Sequence, residues 1–316
     1  MTIFRSLAEV PPAFGPSVVT IGNFDGVHVG HRLIMRRVLE IAHERDLTAA
    51  VLTFDPHPAR VLAPDRAPRL IMTVPRRLRG IESEGIDAVL VLPFSLEFAK
   101  LTPEEFVKRV LFGTLHARVI VVGEDFRFGH KQAGTVETLR ALGAQLGFEV
   151  AAIGAIERCQ ERVSSSTVRR LLAEGRVSRA CRELGAPFAL EGEVVRGQGI
   201  GSKQTVPTLN LASPNEVLPK TGVYVTRTRD LDSSRQWRSI TNVGYRPTFD
   251  GEGLTIETFL LDSLADAGPH RIEVSFLAFI REERKFENAE GLKVQILHDV
   301  GVASRLHRRL EKLRVG

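Results

Sequence analysis

The sequence contains few cysteines and few aromatic side chains other than phenylalanine. Its 316 residues include two cysteines, one tryptophan and two tyrosines. Because Cys159 and Cys181 are too few for a disulfide framework or an unaided zinc site, we expect both to be reduced, as in a cytosolic protein. The shortage of tryptophan and tyrosine leaves few rings for stacking on bases, which disfavours nucleic acid as a partner.

Long apolar segments and blocks of like charge are also missing. No window approaches the roughly 18 uncharged apolar residues that a membrane span requires. The segment Met1–Val10 carries Arg5 and Glu9 in place of the apolar stretch of a signal peptide. We therefore expect a cytoplasmic protein with no membrane partner. The net charge of +5 suits polyanionic ligands, and without a block of like charges it favours nucleotide phosphates over nucleic acid.

The chain is long enough for two domains, and its first half has the pattern of an α/β protein. The predicted strands are Val18–Ile21, Ala49–Phe54, Ala88–Leu92, Val119–Val122 and Glu149–Ile153. The predicted helices between them are His31–Glu44, Val74–Gly85, Pro103–Phe112 and Gly134–Leu146. This alternation predicts a parallel sheet with helices on both faces. Ligands of such sheets bind beyond the carboxyl ends of the strands, so we expect chemistry in the loops after Ile21, Phe54 and Val122.

The second half reads as an all-β unit that begins near Phe188. Turn residues separate its predicted strands, which are Glu191–Val195, Gly222–Thr228, Trp237–Val243, Leu254–Leu261 and Arg271–Ile280. Such a succession predicts a closed barrel or a sandwich. A final helix is predicted over about Ala289–Leu313, and Leu184–Pro187 is the predicted linker between the halves.

The segment Thr20–His31 is the most informative in the chain. A strand runs into a loop and then into a helix, and the loop contains Gly22, Gly26 and Gly30. Glycines let the backbone approach a ligand, and a helix start presents free N–H groups to a phosphate. His28 and His31 project to one side of a helical turn and would add donors. A plain tight turn with structural histidines is the alternative, and the glycine spacing does not fit the G-x-G-x-x-G dinucleotide motif.

Three further segments follow later strands or open a helix. Thr53–Pro58 is a turn after the second strand, and Val122–Gly129 mixes acidic, basic and phenylalanine side chains. The latter suits an aromatic ligand that bears a phosphate, or else is a turn with a salt bridge and two core phenylalanines. Val163–Arg169 begins a helix with three serines. These are ordinary N-caps, or with Arg169 they form an anion site.

Four motifs occur in this order along the chain: H-x-G-H, T-F-D-P-H-P, D-F-R-F-G and S-S-x-x-x-R. Together they resemble the bacterial bifunctional riboflavin kinase/FMN adenylyltransferase family, and the resemblance extends over essentially all of residues 15–310. The resemblance implies an α/β fold, with a Rossmann-like H-x-G-H nucleotidyltransferase domain over residues 1–184. This domain would join FMN to the adenylyl group of ATP, with Mg²⁺ as cofactor. Catalysis would fall to His28 and His31. The implied ATP-phosphate contacts are Gly22, Phe24, Gly30, Ser165, Ser166 and Arg169, and the implied flavin contacts are Asp125, Phe126 and Phe128. The family usually has threonine where this chain has Ser166, and the hydroxyl is retained.

The second half opens with a glycine-rich stretch and a polar motif. The run Gly197–Gly201 lacks P-loop spacing and is equally typical of a hairpin turn. In the motif Pro207–Asn210, Thr208 and Asn210 offer oxygen ligands that suit nucleotide-bound Mg²⁺. Glu257 lies among apolar strand residues. Facing inward it would be a candidate general base, whereas facing outward, which the spacing alone favours, it would be a solvated residue.

This half resembles the riboflavin kinase domain of the same family, a small β-barrel with a P-T-A-N motif, a catalytic glutamate and a C-terminal helix. Its implied extent is residues 187–316 and its implied substrates are riboflavin and ATP. The resemblance assigns catalysis to Glu257, the metal to Thr208 and Asn210, and ATP contacts to Gly199, Gly201 and Lys203. The chain departs from the family pattern at Ser202, Thr205, Val206, Leu209 and Phe259.

These departures leave two alternatives open. One is an FMN adenylyltransferase whose C-terminal domain is a flavin-binding remnant. The altered loop raises this alternative because its departures put the affinity for ATP in doubt. The other is a regulator that binds flavin or nucleotide without turnover, against which the retained histidine pair argues. The sequence leaves the oligomeric state open, a homo-oligomer included.

Overall fold

The computed structural model describes residues 1–158, 160–195, 208–233, 235–248, 251–264, 268–284, 286 and 288–315. It divides into two compact units, Met1–Ser165 and Ser166–Gly316. The domain limits inferred from the family resemblance, with a linker at Leu184–Pro187, stay a prediction. Among the described residues, none of the helices combines the length and the apolar character of a membrane span.

The first unit is built on a six-stranded parallel sheet, which confirms the α/β prediction. The strand order is β1-β4-β3-β2-β5-β6. The strands are β1 Thr2–Phe4, β2 Ser17–Ile21, β3 Thr48–Asp55, β4 Ala88–Pro93, β5 Ala117–Gly123 and β6 Glu149–Ile153. The edge strand β1 was not predicted, because three largely exposed residues carry no periodic signal. A small hairpin follows, formed by β7 Glu157–Arg158 and β8 Glu161–Arg162.

Helices cover both faces of this sheet. They are α1 Val29–Arg45, α2 Pro58–Leu62, α3 Val74–Glu82, α4 Pro103–Phe106 and α5 Val136–Leu146, and a π-helix over Val107–Phe112 continues α4. Short 3-10 turns lie at Leu7–Glu9, Pro64–Arg66, Phe98–Lys100 and His130–Gln132. Along β5, Ile120 and Val122 belong to one core cluster, while Val119 and Val121 belong to a second. Because successive strand residues point to opposite faces, each cluster is the apolar layer on one side of the sheet.

The second unit is a closed antiparallel barrel with helices. Its strands follow the circular order β10-β13-β12-β11-β14-β9, so the predicted all-β unit is closed rather than sandwiched. They are β9 Phe188–Val195, β10 Thr208–Ala212, β11 Gly222–Asp230, β12 Gln236–Thr248, β13 Gly251–Leu260 and β14 Arg271–Arg281. The helices are α6 Ser165–Ala173, α7 Val177–Leu184 and α8 Ala289–Val315. Neither β10 nor α7 was predicted.

The barrel wall has a hydroxyl-rich interior and an apolar outer face under α8. Val223, Val225 and Ile240 form a buried cluster with Ala303 of α8. The alternate residues of β11 to β13 therefore face inward. They include the fully buried Thr226, Thr228, Ser239, Thr241 and Thr258. Their hydroxyls form a chain with oxygen–oxygen distances of 2.8 to 2.9 Å, so the buried polar atoms are satisfied.

Candidate active sites

In the first unit, His28 and His31 lie together at the start of α1, as their spacing predicts. His28 is the N-cap, and its Nδ1 accepts a hydrogen bond from the backbone N–H of His31 at 3.3 Å. The two imidazole rings are stacked, with centroids 3.6 Å apart and planes 18° apart. The pair therefore presents two imidazoles beside the free N–H groups of a helix start, an arrangement suited to an anion.

The loop before α1 is shaped around these rings. Phe24 is buried and its ring packs edge-on against His31, with centroids 5.1 Å apart. A Cβ at Gly22 would lie 3.2 Å from the Phe24 ring, and one at Gly30 would lie 3.1 Å from the imidazole of His28. Both glycines thus make room for aromatic side chains. Because the Phe24 side chain is 1% exposed, any phosphate contact by this residue falls to its backbone.

Both histidines are held neutral. Burial first, and then the charge of Arg162, lowers the pKa of His28 to about 4. Burial and the neighbouring His28 hold the pKa of His31 well below its ordinary value. Within the described chain, Nδ1 of His31 is buried without a hydrogen-bond partner. Incoming phosphate charge would raise both pKa values, because an anion favours the protonated imidazole.

Two charged residues that sequence reasoning missed organise this loop. Asp25 is 2% exposed, and its carboxylate accepts hydrogen bonds from the backbone N–H groups of Ile71 and Met72 at 3.0 and 3.3 Å. Arg77 of α3 is 3% exposed and donates to backbone carbonyls of both the loop after β2 and the end of β3. A sequence pattern gives no signal for either contact, because the partners are distant along the chain.

The segment after β5 has features of the alternative interpretation, a turn with a salt bridge and core phenylalanines. Asp125 is exposed and forms a salt bridge of 2.6 Å with Arg162 of β8. The rings of Phe126 and Phe128 are stacked, with centroids 5.5 Å apart. Phe128 is 7% exposed and belongs to the core, whereas Phe126 packs at its margin. Of the two predicted flavin-binding rings, Phe126 is therefore the more accessible.

The predicted serine cluster lies at the beginning of α6. The Ser165 hydroxyl donates to the backbone carbonyl of Asp25 at 2.8 Å, so this serine fastens the histidine loop. Ser166 is exposed and Arg169 is half-buried. At the other predicted loop, Nδ1 of His57 caps α2 by accepting from the N–H of Ala59 at 3.1 Å.

In the second unit, three polar residues form a row across neighbouring strands. Glu257 of β13 lies directly opposite Asn210 of β10 on one side and Asn242 of β12 on the other. Glu257 is 4% exposed, so the spacing-based expectation of a solvated side chain is wrong. The residue spacing gave the wrong expectation because α8 covers the outer face of the barrel at this position. Thr208 lies two residues before Asn210 and shares its face.

A cavity of about 230 Å³ opens beside this row, between the outer face of the barrel and α8. Asn242 donates to Glu283 at 3.1 Å. The polar and charged lining comprises Asn242, Glu257, Arg281, Glu283, Arg284 and Asp299. Its apolar lining comprises Val223, Ile240, Phe259, Leu261, Phe286, Leu292, Ile296 and Val300. Sequence reasoning found the apolar period of the helix but did not connect it with a ligand cavity. Gly199, Gly201 and Lys203, the predicted ATP contacts, lie outside the described residues.

Comparisons with known proteins find two family models in succession along this chain. Residues 11–167 match the family model described as FAD synthetase, and residues 184–307 match the one described as riboflavin kinase. A bifunctional riboflavin kinase/FMN adenylyltransferase from Pseudomonas fluorescens is 37% identical over 307 residues, which is 97% of this chain and 98% of the relative. Its counterpart from Escherichia coli K12 is 35% identical, over 89% of this chain and 90% of the relative.

A solved structure shows the same architecture. The crystal structure of a Streptococcus pneumoniae protein, described as a macrolide-efflux protein, matches with a TM-score of 0.86 and 29% identity. The match covers 96% of this chain and 98% of that one. Both halves match in order, and one relative aligns over nearly its whole length. This chain therefore belongs to the bifunctional riboflavin kinase/FMN adenylyltransferase family, and it carries out two reactions: phosphorylation of riboflavin to FMN with ATP, and adenylylation of FMN to FAD with release of pyrophosphate.

Proposed function

We propose that FMN adenylylation takes place at the stacked histidine pair, within a domain that spans residues 1–184. A phosphate oxygen of FMN attacks the α-phosphorus of ATP, a new P–O bond forms, and pyrophosphate leaves with the electrons of the broken bond. Such a reaction depends on positioning and on stabilising the charge of the transferring group. The neutral N–H groups of His28 and His31, with the N-terminus of α1, are the donors that would hold the phosphates.

The neighbouring residues are assigned supporting contacts in this proposal. The backbone around Gly22, Phe24 and Gly30 would line the nucleotide. Ser165 already holds the histidine loop through Asp25, so its role would combine shaping the loop with binding the triphosphate. By the family resemblance, Ser166 and Arg169 are further contacts of the triphosphate. Asp125, Phe126 and Phe128 would meet the flavin, with the half-buried Phe126 as the ring contact.

We propose that riboflavin phosphorylation takes place at the Asn210–Glu257–Asn242 row, within a domain that spans residues 187–316. The apolar part of the cavity under α8 suits the flavin ring, and its polar end suits the ribityl chain. Glu257 would take the proton from the terminal hydroxyl as that oxygen attacks the γ-phosphorus of ATP, and ADP leaves with the electrons of the broken P–O bond. A carboxylate at 4% exposure between two amides is the observation that carries this assignment.

The oxygen donors beside Glu257 fit a magnesium ion. Thr208 and Asn210 offer a hydroxyl and an amide oxygen from one face of β10, and hard oxygen ligands are what Mg²⁺ prefers. In the described part of the chain no cluster of three or more His, Cys, Asp or Glu residues is placed to hold a metal. Mg²⁺ of this kind is held largely by substrate phosphates, where it offsets their charge. Both reactions should stop with EDTA and resume when Mg²⁺ is restored.

One time course tests both assignments. The protein is incubated with riboflavin, ATP and Mg²⁺, and the flavins are separated over time. We expect FMN to appear first and FAD to follow, with a raised apparent KM for ATP in the first step because of the altered loop Ser202–Val206. Conversion of FMN but never riboflavin, even at millimolar ATP, would instead support a flavin-binding remnant. The cytoplasmic location and the lack of a nucleic-acid partner stay predictions from the sequence, and the oligomeric state stays open.

A further inference from the structure

Arg77 fastens the loop after β2 to the end of β3, the two segments that border the proposed adenylylation site. Its Nη1 donates to the carbonyl oxygen of Asn23 and its Nη2 to that of Phe54, each at 2.9 Å. Asn23 belongs to the loop that leads into α1, and Phe54 lies near the end of β3. A single planar guanidinium thus fixes the spacing between two segments that the sheet delivers to the same edge.

The loop that Arg77 holds is strained. Phe24 and Val27 adopt φ values of +50° and +42°, in the left-handed region that non-glycine residues seldom occupy and β-branched residues least of all. Such strain persists only where the surroundings over-determine the backbone, and it concentrates at functional sites. The Asn23 carbonyl precedes Phe24 directly and also accepts from the Thr53 hydroxyl at 3.3 Å. The strained stretch ends at His28, so its conformation determines where the imidazoles lie.

The surroundings of Arg77 exclude a direct contact with substrate as its main role. The side chain is 3% exposed, and both terminal nitrogens are engaged with carbonyls. Burial lowers the pKa of Arg77, and the carboxylates of Asp25 and Asp55 oppose that effect. A buried cation balanced by two carboxylates costs desolvation energy that an apolar residue would avoid. Its placement is therefore best explained by the carbonyl pair that it holds.

We propose that Arg77 is a positioning residue for adenylyl transfer, which sets the geometry of the His28–His31 pair through the Asn23 and Phe54 carbonyls. This inference rests on the proposed role of the histidines. A methionine at this position could donate to neither carbonyl, and a lysine could reach one with a mobile point charge. The loop would then sample conformations in which the imidazoles miss the transferring phosphate.

The test compares Arg77→Met and Arg77→Lys with Arg79→Met, a control on the exposed face of the same helix. We expect kcat for FMN adenylylation to fall about 10²-fold in Arg77→Met and about tenfold in Arg77→Lys, because displacements of about 1 Å have effects of this size. The KM values for ATP and FMN should change much less. Riboflavin phosphorylation by the same molecules should be unchanged, as should every parameter of Arg79→Met.

A purely structural role would give a different result. It would lower the melting temperature of the first unit but leave kcat per folded molecule at the wild-type value when assayed well below that temperature, and this would overturn the inference. If Arg77→Met does not fold, Arg77→Lys decides by the same criterion. Loss of activity in His31→Ala with wild-type kcat in both Arg77 variants would refute the positioning role alone. Full activity in His31→Ala would refute the proposed site itself.

Discussion

The two units build their sites from different parts of the backbone. In the first unit, the candidate residues lie on loops at the carboxyl ends of parallel strands and at a helix start, as with His28 and His31. In the second, they lie on the strands themselves, where pairing across the barrel wall places Asn210, Glu257 and Asn242 in a row. The first geometry depends on how a turn is held, whereas the second depends on strand register and on the helix that covers the wall.

The largest expected effect would sharpen this comparison at the barrel. Replacing Glu257→Gln preserves shape but removes the proton acceptor, so riboflavin phosphorylation should fall by about 10²–10⁴-fold. FMN adenylylation should be unchanged, because its site lies in the other unit. Both rates can be followed by separating riboflavin, FMN and FAD. Glu193→Gln, an exposed glutamate on β9, is the matched control and should leave both rates intact.

A substitution in the first unit tests the site that is built on loops. His31→Ala should lower FMN adenylylation by about 10²–10³-fold, because one donor to the developing charge is lost from a preorganised site. Riboflavin phosphorylation should persist. His43→Ala removes an exposed histidine from the same helix and serves as the control. Equal loss of both activities in a folded His31→Ala protein would contradict the assignment of two separate sites.

The barrel interior offers a test of stability rather than chemistry. The Thr226 hydroxyl bonds to both Ser239 and Thr241 at 2.8 Å, so Thr226→Val leaves two buried hydroxyls short of a partner. We expect the free energy of unfolding to fall by about 1–3 kcal/mol. The only tryptophan, Trp237, lies in β12 and reports barrel unfolding in urea by fluorescence.

Thr228→Val is the graded control for this change. Thr228 is one end of the chain of hydroxyls and bonds to Ser239 at 2.8 Å, so its loss should cost less than that of Thr226. Equal losses would show that buried volume and shape, rather than the hydrogen-bond chain, determine the stability of the barrel. Adenylylation of FMN should be unaffected by either substitution at temperatures where the barrel remains folded.

The last test concerns the stability of the first unit at acid pH. The pKa of His28 is about 4 in the folded protein against 6.5 in the unfolded chain. The unfolded chain therefore binds a proton that the folded one refuses, so stability is complete above pH 6.5 and declines as the pH falls toward 4. His28→Asn keeps a helix-cap acceptor without a titrating ring. Its free energy of unfolding should fall less than that of the wild type between about pH 7 and about pH 5, and equal declines would contradict this account.

What the sequence predicted correctly follows from local geometry. The side-by-side placement of His28 and His31 needs only helical spacing, and the first sheet needs only alternating apolar runs. The burial of Glu257 was mispredicted, because its side chain lies on the outer face of the barrel and only the fold shows that α8 covers that face. The positioning role proposed for Arg77 was not predicted, because its two carbonyl partners lie in segments that only the folded sheet brings together.

The strand order of the barrel bears on how the protein emerges from the ribosome. The sheet of the first unit is complete once Ile153 has been synthesised. The barrel cannot close until β14 is available, because Arg271–Phe276 pairs with β9 and completes the ring. Such a long-range closure is slow to form, and domains fold as units in the order of their synthesis. A nascent chain should therefore acquire the sheet of its nucleotidyltransferase first and the kinase barrel only after more than a hundred further residues.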